Sequence, residues 1–166
     1  LMSDPQIATE PRKLYPYQKE AVDRIFAKLK ELPSNSNVLF QLPTGGGKTM
    51  IFSEIARNYI NDYGKKVLIL THRIELSYQT SDVLSEKGIP NLIINSAIKK
   101  LPKEDENLAY TALVETLNNR LQDNENDHFL EGIGLVIVDE AHNNSFRKIF
   151  HHFSDVNILG VTATPL

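Results

Sequence analysis

A glycine triplet followed by a lysine and a threonine is the part of this sequence best suited to bind a phosphate. Gly45, Gly46 and Gly47 lack a Cβ, so their backbone can wrap closely around phosphate oxygens. Lys48 can reach the β and γ phosphates of a nucleotide, and the hydroxyl of Thr49 can bind Mg²⁺. These residues therefore predict a phosphate-binding loop.

Two adjacent carboxylates provide the second group that could do chemistry. Asp139 and Glu140 directly follow the apolar residues 135–138, which predict a strand that ends at the two acids. An aspartate in this place can hold Mg²⁺, commonly through water, and a neighbouring glutamate can orient and deprotonate an attacking water. Alone, the pair would be read as an acidic loop after a core strand. Together with Lys48 and Thr49 it predicts a site with Lys48, Asp139 and Glu140 as catalytic residues and with Thr49 and Asp139 as magnesium ligands.

The residues around the glycine triplet predict a strand before it and a helix after it. Residues 38–40 are a short apolar run, and residues 49–62 carry their apolar side chains at helical spacing. A phosphate-binding loop requires this order of strand, loop and helix. Leu42 stands where the strict motif has its first glycine. The loop alone therefore leaves open the alternative of a glycine-rich turn that happens to precede a lysine.

Strand and helix patterns alternate along the whole chain, which predicts an α/β fold with a mostly parallel sheet and helices on both faces. The predicted strands are residues 38–40, 67–70, 92–94, 109–112, 135–138 and 158–161, and the predicted helices are residues 15–32, 49–62, 74–87 and 114–121. Ligands of such sheets bind beyond the carboxyl ends of the strands. We therefore expect residues 44–49, 139–140 and 162–164 to lie at one edge.

Two further segments carry a structural prediction. Residues 122–131 are acidic and rich in asparagine, which predicts a solvated loop. Phe146, Phe150 and Phe153 stand at helical spacing and predict a helix that packs on the sheet.

Composition places the chain among ordinary globular domains. Its 166 residues suit one domain, and 41% of them are hydrophobic, which is enough for one buried core. The absence of cysteine excludes disulfides and thiolate metal sites. A net charge of −3 does not fit a free-standing nucleic-acid binder, which is usually basic. We find no apolar run long enough to span a membrane and no secretory signal, so we expect a cytoplasmic protein without a membrane partner.

Six motifs together resemble those of a superfamily 2 DEAD/DEAH-box helicase, in its first RecA-like domain, and are most similar to the type III restriction enzyme subunit group. In chain order the matching residues are 14–18 (LYPYQ, the Q-type motif), 41–49 (motif I), 71–76 (motif Ia), 111–117 (a later nucleic-acid motif), 139–142 (DEAH, motif II) and 162–164 (TAT, motif III). The resemblance covers about residues 12–165. Leu42 is an unusual residue for motif I.

This resemblance implies a three-layer RecA-like P-loop fold with ATP and Mg²⁺ as cofactors. Gln18 would read adenine, because a carboxamide offers the donor and acceptor that match adenine N7 and N6. A capping glutamine on a surface helix is the alternative. The implied cofactor-binding set is Gln18, Thr44, Gly45, Gly46, Gly47, Lys48 and Thr49.

The resemblance also implies residues for coupling and for nucleic-acid binding. His142, Thr162 and Thr164 would couple the nucleotide site to the nucleic-acid site. The implied contacts to a DNA or RNA backbone are Thr71, His72, Arg73 and Thr116, whose cationic and hydroxyl groups suit phosphates.

The expected function is that of an ATP-driven helicase or translocase domain. We expect residues 1–11 to be a leader, residues 12–166 to be the N-terminal RecA-like domain, and the second RecA-like domain to be absent. The chain alone should hydrolyse ATP very slowly, because the second domain's arginine finger can contribute about 10³ to 10⁵ in rate. That domain, and nuclease or modification subunits, are the expected protein partners. A P-loop small-molecule kinase and a non-hydrolysing nucleotide-dependent binding module are the alternatives.

Overall fold

The computed structural model describes residues 13–33, 35–42, 47–141 and 146–163. The strands in this part of the chain are β1 (Asn37–Gln41), β2 (Lys66–Thr71), β3 (Asn91–Ile94), β4 (Ala109–Leu113), β5 (Ile133–Asp139) and β6 (Asn157–Thr162). The helices are α1 (Pro16–Glu31), α2 (Lys48–Tyr63), α3 (Ile74–Glu86), α4 (Val114–Leu121) and α5 (Arg147–Phe150), with a 3₁₀ helix at Asn124–Leu130. Each predicted strand and helix named above by residue range is present, with ends shifted by no more than two residues.

The six strands form one sheet in the order β1-β6-β5-β2-β4-β3, and every pair of neighbours is parallel. The prediction of a mostly parallel sheet is therefore confirmed. The chain runs from β1 across to β2 and on to β3, and then returns through β4 and β5 to β6. Because parallel crossovers are right-handed, outward and returning connections place their helices on opposite faces of the sheet.

Two apolar clusters cover the two faces of the sheet. Helices α1, α2 and α3 pack over one face against Val67 and Ile69 of β2. Helices α4 and α5 and the 3₁₀ helix pack over the other face, against Leu68 and Leu70 of the same strand. Successive side chains of a strand point to opposite faces, so a strand that is buried on both sides has to be apolar throughout. This explains the continuous apolar runs in β2 and β5.

The acidic segment at residues 122–131 is not the solvated loop that its composition predicts. It contains the 3₁₀ helix, in which Asn126 and Phe129 are buried. The Asn126 side chain accepts a hydrogen bond from the amide of Leu101 at 3.0 Å and donates one to the carbonyl of Arg120 at 2.7 Å. The ring of Phe129 meets the ring of Tyr110 edge-on, with centroids 4.7 Å apart. Two inward side chains thus fix a segment whose other side chains are mostly polar.

The predicted phenylalanine helix is shorter than its spacing suggests. Helix α5 has only four residues, with Phe146 just before it and Phe153 beyond its end. The three rings nevertheless follow one another, with centroid distances of 6.2 Å from Phe146 to Phe150 and 6.5 Å from Phe150 to Phe153. They belong to the cluster on the α4 side of the sheet, so their predicted packing is confirmed.

None of the helices in the described ranges combines the length and the apolar character that crossing a membrane requires.

Candidate active site

The carboxyl edge of the sheet brings the lysine and the two acids together. Strand β1 ends at Gln41 and helix α2 begins at Lys48, while β5 ends at Asp139. β6 lies between β1 and β5, and the amide of Leu42 donates a hydrogen bond to the carbonyl of Thr162 at 2.9 Å. The expected meeting of these segments at one edge is thus confirmed for their described members. Thr44, Gly45 and Gly46 lie outside the described residues.

Lys48 forms ion pairs with both carboxylates. Its Nζ lies 3.1 Å from Oδ1 of Asp139 and also donates to Oε1 of Glu140. The side chain of Asp139 is 1% exposed, that of Lys48 is 10% exposed, and that of Glu140 is 28% exposed. Charges this far from water are stable only when they are paired. The site therefore holds one cation between two anions, with Glu140 on the solvent side.

The two acids also determine the protonation of the lysine. Burial of the ammonium by itself lowers the pKa of Lys48, but the hydrogen bonds to Glu140 and Asp139 and the charges of both carboxylates together outweigh it. The resulting pKa of Lys48 is above its usual value. Lys48 is therefore cationic at neutral pH, and a cation attracts phosphate oxygens.

The second oxygen of Asp139 is held by β2. The hydroxyl of Thr71 donates a hydrogen bond to Oδ2 of Asp139 at 3.0 Å and accepts one from the backbone amide of Arg73 at 3.0 Å. Thr71 is fully buried. With Lys48 on Oδ1, both oxygens of Asp139 have a partner, so the orientation of this carboxylate is fixed.

The backbone at Glu140 has a left-handed conformation, with a φ of 56°. Residues with a Cβ rarely adopt this conformation, which costs roughly 1–2 kcal/mol. The next residue, Ala141, donates its amide to the carbonyl of Val161 on β6 at 2.9 Å. This bond ties the turn after β5 to β6, and the turn directs Glu140 back toward Lys48. His142 and Thr164 lie outside the described residues.

The donor set fits Mg²⁺ and a phosphate chain. Carboxylate and hydroxyl oxygens are the ligands that Mg²⁺ prefers, and a lysine beside the amino end of a helix suits phosphate oxygens. Asp139, Glu140 and Lys48 supply such groups within one site. Thr49 lies in the first turn of α2, and its hydroxyl is 3.5 Å from Oε1 of Gln79 on α3. Gln79 belongs to none of the sequence motifs, and its contact with Thr49 follows only from the packing of α3 on α2.

Gln18 lies against the end of the glycine triplet. It is 2% exposed, and its Oε1 accepts a hydrogen bond from the amide of Tyr15 at 2.8 Å. Gly47 is left-handed, with a φ of 73°, and a Cβ there would collide with the carboxamide of Gln18. Gln18 thus has the position of a helix cap, which is the alternative interpretation, and it also lies against Gly47.

The four residues expected to contact nucleic acid divide into two groups. His72 and Arg73 are exposed after β2, and Thr116 is half-buried in the first turn of α4, after β4. The carboxyl ends of β2 and β4 are adjacent, so these three residues occupy the same edge. Thr71, in contrast, turns its hydroxyl inward to Asp139. Its burial corrects the expectation of a phosphate contact, because the side chain presents no surface to a ligand.

The inward role of Thr71 leaves a weak signal in the sequence. Thr71 ends the apolar run of β2 as Asp139 ends that of β5, and strand ends in a parallel sheet share an edge. The missing information is that β2 and β5 are neighbours, with Leu70 opposite Val138. Two ends that are adjacent in this way bring their side chains into contact.

Curated relatives match most of this chain. A putative ATP-dependent helicase of Saccharomyces cerevisiae is 32% identical over 164 residues, which cover 89% of this chain and 23% of the relative. A putative ATP-dependent RNA helicase of African swine fever virus is 34% identical over 160 residues, covering 92% of this chain and 29% of the relative. The chain therefore spans about a quarter of the length of these relatives.

Solved helicase structures share the fold. The UvsW helicase of bacteriophage T4 superposes with a TM-score of 0.65 at 20% identity, over 97% of this chain and 64% of that one. The type ISP restriction-modification enzyme LlaGI, in complex with a DNA substrate mimic, gives a TM-score of 0.70 at 20% identity, over 93% of this chain and 18% of that one. The fold is thus the RecA-like fold of helicase domains. The family model described as the type III restriction enzyme, res subunit, matches residues 12–166, and the chain belongs to that family.

Proposed function

We propose that this chain is the Mg·ATP-binding domain of a nucleic-acid motor, which hydrolyses ATP together with a second RecA-like domain and moves on DNA or RNA. The observation that carries the proposal is the convergence of Lys48, Asp139 and Glu140 at the carboxyl edge of the sheet. The ATP-dependent helicases among the relatives favour this function over a small-molecule kinase.

Each residue of the cluster has a distinct task in the proposed reaction. Lys48 binds the β and γ phosphates, and its raised pKa keeps it charged throughout the physiological range. Thr49 and Asp139 would hold Mg²⁺, which when bound would stabilise the negative charge of the phosphate oxygens. Glu140 orients the attacking water and accepts its proton, and its 28% exposure leaves it accessible to that water.

We further propose that Gln18 makes the site selective for adenine. Its carboxamide adjoins Gly47 and would therefore lie close to a nucleotide bound at the glycine triplet. The competing role, a helix cap, is supported by the hydrogen bond from Tyr15. The two roles differ in outcome, because only a base reader distinguishes ATP from GTP.

The nucleic-acid site is proposed on the same edge, beyond β2 and β4. His72 and Arg73 are exposed there, and Thr116 stands at the start of α4, where helix amides favour phosphate. Thr162 ends β6 beside β5, which suits the proposed transmission of nucleotide state, together with His142 and Thr164. A second RecA-like domain would add an arginine finger, and nuclease or modification subunits are proposed further partners.

Calorimetric titration with Mg·ATP and Mg·GTP tests the proposal. The variant is Lys48→Ala, and the matched control is Lys66→Ala. Lys66 is also a partly buried lysine paired with a carboxylate, at 3.3 Å from Asp105, but it begins β2 at the opposite edge of the sheet. We expect the wild type and Lys66→Ala to bind ATP in preference to GTP, and Lys48→Ala to lose binding.

The outcomes separate the two parts of the proposal. Undiminished ATP binding by Lys48→Ala would refute the site. Equal affinity of the wild type for ATP and GTP would refute the role of Gln18 alone.

A further inference from the structure

Thr71 links the carboxylate of Asp139 to the start of helix α3. Its hydroxyl donates to Oδ2 of Asp139 and accepts from the amide of Arg73, both at 3.0 Å. Thr71 is 0% exposed and Asp139 is 1% exposed, so the bond between their side chains is shielded from water. The hydroxyl thus uses its single proton on the carboxylate and a lone pair on the backbone.

The two bonds of Thr71 join parts of the chain that have different proposed tasks. Asp139 belongs to the nucleotide site through its ion pair with Lys48. Arg73 is exposed on the proposed nucleic-acid edge and stands at the amino end of α3. A single hydroxyl therefore connects a proposed magnesium ligand with the backbone of a proposed nucleic-acid contact.

We propose that Thr71 is a positioning residue, which orients the carboxylate of Asp139 for Mg²⁺ and fixes it to the backbone at Arg73. The inference rests on the proposed function, since it assigns a task to Asp139 as a magnesium ligand. A carboxylate with a partner on each oxygen has one orientation, whereas loss of the Oδ2 partner lets it turn about its bond to Cβ. Outer partners of metal ligands typically change metal affinity or activity about 10–100-fold when removed.

A second buried threonine, Thr111, provides the control for the loss of a buried hydroxyl. Thr111 on β4 is also 0% exposed, and its hydroxyl makes a 3.5 Å contact with the carbonyl of Ser77. Its strand lies beside β2, with Ile69 opposite Thr111. Thr111→Val therefore removes a buried hydroxyl from the same sheet without touching Asp139.

The test compares Thr71→Val, Thr71→Ser and Thr111→Val with the wild type. Calorimetry measures ATP affinity over a range of Mg²⁺ concentrations and in the presence of EDTA. For Thr71→Val we expect the Mg²⁺ requirement to rise about 10–100-fold, with unchanged ATP affinity in EDTA. Thr71→Ser, which keeps the hydroxyl, and Thr111→Val should both resemble the wild type. If the valine variant fails to fold, Thr71→Ser and Thr71→Ala replace it, because those two differ only in the hydroxyl.

A second readout needs no nucleotide. Amide hydrogen exchange at Arg73 should be faster in Thr71→Val, because the amide has lost its acceptor, while exchange at Leu70 in the sheet stays unchanged. An unaltered Mg²⁺ requirement, or unaltered exchange at Arg73, would overturn the inference and leave the proposed function intact. A wild type that does not bind Mg·ATP would overturn the proposed function and the inference together.

Discussion

Replacement of Gly47 by alanine should destabilise the fold through backbone strain and through a collision with Gln18. Gly47 precedes helix α2 with a φ of 73°, and an added Cβ would collide with the side chain of Gln18. The new methyl group therefore has two consequences. It strains the backbone, and it displaces the carboxamide that accepts the hydrogen bond of Tyr15.

The two consequences have separable magnitudes. A left-handed conformation costs an alanine roughly 1–2 kcal/mol, and loss of a capping hydrogen bond costs about 1 kcal/mol. Gly47→Ala should therefore lower the free energy of unfolding by roughly 2–3 kcal/mol. Gly64, which follows α2, has a φ of 66° but nothing within 4 Å of an added Cβ. Gly64→Ala should show the backbone cost alone, roughly 1–2 kcal/mol.

Urea denaturation of a double-mutant cycle with Gln18→Ala isolates the collision. Because Gln18→Ala also removes the cap, about 1 kcal/mol would be counted twice if the single effects of Gln18→Ala and Gly47→Ala were added. The double variant should therefore be about 1 kcal/mol more stable than additivity predicts. Gly64→Ala should be additive with Gln18→Ala. If the effects of Gly47→Ala and Gln18→Ala were additive, the reasoning would be refuted, because the added methyl group would then not displace Gln18.

Two further predictions concern helix α3 and its neighbour α2. Glu54 of α2 accepts hydrogen bonds from Arg57 and, at 3.2 Å, from Lys87 beyond α3. The bond from Arg57 lowers the pKa of Glu54, burial raises it, and Lys87 lowers it further. The resulting pKa of Glu54 is below its usual value. A carboxyl group whose pKa is lowered by folding stabilises the folded state at pH values above its unfolded pKa of about 4.3, and this stabilisation is lost as the pH falls through the folded pKa. Glu54→Gln should therefore lower the free energy of unfolding by about 1 kcal/mol at pH 7, and by progressively less below about pH 4, in urea titrations. The hydroxyl of Thr80 on α3 is buried with no hydrogen-bond partner in the described part of the chain. Thr80→Val should therefore leave the stability unchanged or raise it by up to about 1 kcal/mol, as measured by thermal unfolding. A clear loss of stability would contradict this interpretation.

The sequence predicted the strands and helices because each has its own periodic signal. The helix predicted at residues 114–121 has the same bounds in the structure. The apolar run of β2 predicted a strand that is buried on both faces. The 3₁₀ helix escaped prediction because only two of its residues, Asn126 and Phe129, are buried. Such a pair has no periodicity, and its fixed position depends on Leu101, Arg120 and Tyr110 elsewhere in the chain.

The sequence by itself determined the chemistry of the candidate site. Lys48 and Asp139 each follow a predicted strand, and in a parallel sheet this alone brings them to one edge. Only the tertiary structure decided which strands are neighbours, because right-handed crossovers permit many strand orders for the same pattern of elements. The pairing of β2 with β5 turned Thr71 inward to Asp139, and the packing of α1 on α2 set Gln18 against Gly47. Both contacts join residues far apart in the chain, and local patterns do not encode contacts of that kind.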